Sequence, residues 1–119
     1  MLPSIIPPQP ERLYRIDKFN VPAPAHAEFL EKVQLTHELL RTLPGFIQDL
    51  VFEQSDGPGQ FNFVTLVVWE NRAALEAARA VVLAKHRESG FSPSETFERL
   101  HIVADVAIYS QIEVKNATH

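Results

Sequence analysis

The sequence contains no cysteine. That excludes a disulfide framework, a thiolate nucleophile and any cysteine-ligated zinc or iron–sulfur centre, and it fits a reducing, cytoplasmic setting. Basic charge is also short: 11 Lys and Arg stand against 15 Asp and Glu, for a formal net charge of −4, and the two signs are interspersed. Without a basic stripe, neither nucleic acid nor an anionic membrane surface is an expected partner. No charged segment followed by an apolar run occurs near the N-terminus, and no apolar run approaches the ~20 residues that cross a bilayer. His-x-x-Glu-His and His-x-His signatures are missing, so no metal site is expected. Ser89, Ser92 and Ser94 lack the strand-to-helix elbow of a serine nucleophile.

What is there amounts to one domain's worth of chain, 119 residues, long enough to bury a core. Residues 1–11, with Pro3, Pro7, Pro8 and Pro10, read as an extended arm, disordered or laid across a neighbouring subunit through Ile5 and Ile6. Residues 12–112 form the domain and 113–119 a tail, in which Asn116-Ala117-Thr118 matches a glycosylation sequon by letters only.

Leu13 to Phe19 alternates as a first strand, one face carrying Leu13, Arg15, Asp17 and Phe19, the other Tyr14, Ile16 and Lys18. Pro24 suits the first turn of a helix over about Ala25–Leu43, whose face is Phe29, Val33, Thr36, Leu40 and Leu43. Pro44-Gly45 ends it. A second strand, Phe46 to Gln54, sets apolar Phe46, Leu50 and Phe52 against polar Gln48, Asp49 and Glu53. After the turn Ser55-Asp56-Gly57-Pro58-Gly59 comes a third strand, Phe61 to Trp69, apolar on both faces. Asn71 is placed to cap a second helix with the face Leu75, Ala78, Val82 and His86, and Gly90 to close it. Ser92-Pro93-Ser94-Glu95 has capping-box spacing for a short helix over Phe97 and Leu100. Ile102 to Ile108 is the last strand, apolar on both faces apart from Asp105.

This order predicts an α+β fold, the ferredoxin-like split βαβ: a four-stranded antiparallel sheet, first and third strands central, with two helices on one face. The other face of the central and closing strands would stay wet in a monomer. Several hundred Å² of apolar sheet, at roughly 25 cal/mol per Å², is worth on the order of 10 kcal/mol, comparable to the whole stability of such a domain. A homodimer joined through the sheets is therefore expected.

Leu43-Pro44-Gly45-Phe46, Val68-Trp69-Glu70-Asn71 with Leu75, and Val103-Ala104-Asp105-Val106-Ala107-Ile108-Tyr109 resemble the antibiotic biosynthesis monooxygenase family over about Leu13–Gln111. The resemblance implies a dimeric α+β barrel. It also implies, for some members, oxidation of phenols, anthrones or quinols by molecular oxygen as co-substrate, with no cofactor. In polyketide-tailoring members a tryptophan corresponds to Trp69. Their asparagine four residues earlier and tyrosine six residues later correspond to Thr65 and Leu75. In the haem-degrading branch an asparagine, a tryptophan and a histidine surround the haem, at positions held here by Asp17, Ala78 and His86.

Oxygenation without a cofactor needs a dry pocket for an electron-rich aromatic, a base, and a donor for the developing oxyanion. His86, on an apolar helix face, is the first candidate for the base, because an imidazole titrates close to neutral pH; its other reading is a ring packed at the helix end. Asp17 shares a strand face with Arg15 and, as the resemblance implies, points toward the helices; a carboxylate shielded there from water must be paired or protonated, and it could orient His86 or pair with Arg15. Arg15 could equally pair across the sheet with Asp105. His37 borders the first helix's apolar face with Leu30, either looking across the pocket at His86 or half-exposed. Trp69 offers a flat wall and an indole donor, and Thr65 a hydroxyl on the same strand face. Arg15, His37, Thr65 and Trp69 are thus the expected substrate-binding set, and His86 and Asp17 the catalytic one. The alternative is a barrel that binds an apolar metabolite without transforming it. Ala74, Ala77, Ala78 and Ala80 leave room above the sheet or let the helix pack close.

Overall fold

The computed structural model describes residues 9–114; the expected arm contact through Ile5 and Ile6 and the sequon lie outside them. Strand β1 (Leu13–Asn20) is followed by a single 3-10 turn (Ala23–Ala25) and helix α1 (His26–Leu40). Then come β2 (Phe46–Glu53), β3 (Phe63–Trp69), α2 (Arg72–Ser89), α3 (Pro93–Leu100) and β4 (Val103–Tyr109). The strands form one antiparallel sheet in the order β2-β3-β1-β4, with β1 and β3 central, as the element order predicts.

The helix boundaries follow local chemistry. Asn71 Oδ1 accepts the Ala74 N–H at 2.9 Å and opens α2, and Gly90 at φ 71° ends it. Ser92 Oγ accepts from the Glu95 N–H, with Pro93 at the first position of α3. The third strand begins at Phe63, not Phe61, and Asn62, just ahead of it, ties the chain to the end of β1. Its side chain brackets Val21, accepting from the Val21 N–H and donating to the Val21 carbonyl, both at 2.8 Å. Helix α1 stops at Leu40 rather than Leu43, and residues 41–43 form turns that carry Leu43 onto the core.

Leu13, Arg15, Asp17 and Phe19 lie opposite Trp69, Val67, Thr65 and Phe63 on the face that the helices cover. The core there is split. One cluster gathers Phe19, Val21, Phe29, Phe63 and Ile102, the other Leu40, Val67, Trp69, Leu75 and Ala78. Between them lies the row Asp17–Thr65, so polar groups occupy the middle of the layer between sheet and helices.

Strand β2 departs from simple alternation. Phe46 stands opposite Trp69 but Gln48 stands opposite Val68, so Ile47 is an extra residue in the ladder. Such a bulge reverses the facing of everything after it. Phe46 packs edge-on against Trp69. Leu50 and Phe52 pair with Leu66 and Val64 on the open face, while Asp49 pairs with Val67 on the helix side. The open face also carries Tyr14, Ile16, Val103 and Tyr109, and Leu50, Phe52, Val103 and Tyr109 are solvent-exposed there.

Candidate active site

A cavity opens between the sheet and the helices in the gap between the two core clusters. It has two lobes of about 240 and 420 Å³ that share Arg15, Asp17, His37, Thr65 and His86. The smaller lobe runs toward Phe19, Phe29, Phe91 and Phe97. The larger runs toward Trp69, Leu75 and Ala78. Five of the six side chains singled out from the sequence therefore border both lobes, and Trp69 walls the larger one. Among the described residues no three His, Asp or Glu side chains converge as a metal-ligand set.

On the sheet floor, Arg15 Nε donates to Asp17 Oδ1 at 2.8 Å. This pairing answers the two uses of Arg15 left open by the sequence. Asp105 lies opposite Lys18 on the other face, out of reach of the helix side. Burial pushes the Asp17 carboxyl above its ordinary value, and Arg15 opposes that shift. Asp17 makes no hydrogen bond to His86 among the described residues.

Of the two positions open to His37, lining the pocket or half-exposed, the structure gives the first: it is buried, at 5% exposure, whereas Leu30, which shares that border of the helix, faces solvent. The cause is Asp49, which the bulge in β2 turns toward α1. The His37 Nδ1 lies 3.0 Å from Asp49 Oδ2, and the same oxygen accepts from Arg41 Nη2 at 2.9 Å and from Arg41 Nε at 3.0 Å. Arg41 is one turn along the helix from His37, so both meet a single carboxylate. Burial holds the His37 imidazole below its usual 6.5, Arg41 adding to that shift while Asp49 and Asp17 oppose it. Asp49 and Arg41 were not singled out from the sequence; the i, i+4 spacing of His37 and Arg41 was visible there, but the bulge was not.

His86 enters from α2 and packs its ring against Phe91, 5.1 Å between centroids. Among the described residues its ring makes no hydrogen bond. The Thr65 hydroxyl and the Trp69 indole N–H also lack protein partners there, and no buried side-chain polar atom is left unpaired. Both residues are nevertheless buried, so their polar atoms open on the cavity they line. The result is a largely apolar chamber with hydroxyl, indole and imidazole groups on its walls.

Residues 12–86 match the family described as antibiotic biosynthesis monooxygenase, and the chain belongs to that family. Among solved structures it is similar to SnoaB, a cofactor-independent oxygenase from Streptomyces nogalater. The two are 22% identical, with 87% of this chain and 96% of that one covered and a TM-score of 0.62. It is also similar to a conserved protein from Methanosarcina mazei Go1, at 18% identity over 87% of this chain and 95% of that one, TM-score 0.61. A third is MhuD, solved with manganese protoporphyrin IX bound, at 17% identity over 88% of this chain and 99% of that one, TM-score 0.64. No curated protein matches the sequence. At these identities the structural likeness carries the fold, an α+β ferredoxin-like sheet with three helices of the kind monooxygenases of this family use.

Proposed function

We propose that the chain is an oxygenase that needs no cofactor and acts on a small electron-rich aromatic, a phenol, quinol or anthrone, inside this cavity. The observation that carries the reading is the gathering of Thr65, Trp69 and two imidazoles, His37 and His86, with the Arg15–Asp17 pair on the floor, around a largely apolar chamber. The larger lobe alone falls in the range of roughly 300–1,000 Å³ typical of small-molecule sites. For an anthrone the reaction balances as a ring CH₂ plus O₂ giving C=O plus water. A C–H proton passes to a base, and the carbanion transfers an electron to oxygen. Recombination forms a carbon-bound hydroperoxide, and loss of water breaks the O–O bond and leaves the ketone. The base, the oxyanion donors and exclusion of water are what the protein supplies.

The test is oxygen consumption by the purified, metal-free protein against a panel of quinols, anthrones and catechols, with product ketone or quinone quantified. Uptake matched one to one by product and water is expected. A second reading, a barrel that binds an apolar metabolite unchanged, has Leu75 in its favour: it is buried in the core at the position where tailoring members carry a tyrosine. Thermal stabilisation by these compounds without oxygen uptake would favour that reading. Haem, were it bound, would be held by His86, with Asp17 and Ala78 at the other two positions of that branch. A Soret shift on haemin titration that His86→Ala abolishes would support it.

The same reading takes the chain as a homodimer whose sheets face one another. Its support is the exposed apolar set Leu50, Phe52, Val103 and Tyr109 on the open face.

A further inference from the structure

The geometry points to His37, held by Asp49, as the group that takes the substrate proton in this cavity, rather than His86. This inference rests on the oxygenase reading. A base must present a lone pair in a fixed direction, and for an imidazole the partner of one nitrogen decides what the other carries. His37 Nδ1 lies against the Asp49 carboxylate at 3.0 Å, an acceptor, so the proton sits on Nδ1 and the lone pair on Nε2. Nε2 has no protein partner among the described residues, yet no buried side-chain polar atom is unpaired. Since His37 is buried but borders both lobes, Nε2 faces the cavity.

Asp49 is fixed in turn. Arg41 binds the oxygen that receives His37 with two guanidinium nitrogens, at 2.9 and 3.0 Å. Asp49 is thus a positioning residue for His37, and Arg41 one for Asp49. His86 has nothing comparable: its ring rests on Phe91 and no hydrogen bond selects its tautomer among the described residues. The ionisable groups that face His37 or share the cavity with it are Asp49 from β2, Arg41 and Lys32 from α1, Arg15 and Asp17 from β1, and His86 and Arg79 from α2. Burial keeps His37 neutral at neutral pH, which is the form that accepts a proton. In the step itself the substrate O–H or C–H bond breaks, an Nε2–H bond forms, and the imidazolium is stabilised by Asp49. The proton returns to the peroxy anion once oxygen has added.

The experiment uses 1,8-dihydroxyanthrone, whose anion absorbs at longer wavelength than the neutral molecule. Bound without oxygen to the wild-type protein, it is expected to ionise with an acid limb below pH 6.5. His37→Gln should abolish that ionisation and lower kcat for oxygen uptake by about 10²-fold or more. Asp49→Asn removes a carboxylate that raises the His37 pKa, so the acid limb should move to lower pH; a purely structural role for Asp49 would leave it in place. In His86→Ala the limb should stay put, whatever the rate. Wild-type protein that takes up oxygen, with His37→Gln keeping both rate and acid limb, would overturn this assignment and leave the oxygenase reading standing. Wild-type protein with neither ionisation nor uptake would remove both. If His37→Gln does not fold, the limb position in Asp49→Asn decides alone.

Discussion

Gly45 lies so close to Ala74 that a Cβ on residue 45 would overlap the Ala74 methyl group. The glycine also sits at φ +83°, in the left-handed region, and its carbonyl accepts the Glu70 N–H at 2.8 Å. Thus the α1–β2 turn is seated on the start of α2. Gly45→Ala adds backbone strain and overpacking together and is expected to cost about 2–4 kcal/mol. A urea titration followed by circular dichroism measures it; an unchanged midpoint would mean that α2 can shift away freely.

His37 makes stability depend on pH in a definite direction. Its folded pKa lies below the usual 6.5 because of burial. Above that value both folded and unfolded forms are neutral and nothing is lost. As pH falls through 6.5 the unfolded chain takes up the proton first, so stability declines until the folded imidazole is also protonated. The wild-type urea midpoint should therefore drop more than that of His37→Gln between about pH 7.5 and about pH 5.5. Equal drops would mean that His37 is not desolvated.

Asp17 works in the opposite sense. Its carboxyl is raised above 3.8 by burial, so its favourable contribution, that of the protonated form, is present below 3.8 and fades as pH rises through the folded value. Asp17→Asn stays neutral throughout and is expected to gain stability relative to wild type as pH increases from 3.8. A constant difference between the two proteins across that interval would show that Arg15 fully offsets the burial.

The open sheet face yields a test of assembly. Sedimentation at micromolar concentration should return a dimer for the wild-type protein, and Leu50→Lys combined with Phe52→Lys should return a folded monomer, since both side chains project from that face. A wild-type monomer would end the homodimer reading.

Most of the architecture was legible because local signals agreed with one another. Asn71, Ser92 with Pro93, and Gly90 fix helix ends by short-range hydrogen bonds or backbone conformation, and the alternation in β1 puts Arg15 and Asp17 on one face, which the family resemblance rather than the period assigns to the helix side. Their cavity-lining companions Thr65, Trp69 and His86 followed from the same periodicities. For His37 the sequence left two positions open, because its burial depends on a partner twelve residues away, brought to it by a bulge that no period in Phe46–Glu53 reveals. Phe91 escaped notice because it precedes α3 in an irregular connection, where neither period applies.

The extra residue in β2 also works as a parity switch. Were Ile47 paired into the ladder opposite Val68 instead of being left over, strict alternation would send Leu50 and Phe52 inward and Asp49 out to solvent. A slip of one residue in register would thus trade the polar anchor of the cavity wall for grease, and strip two apolar side chains from the opposite surface in the same event.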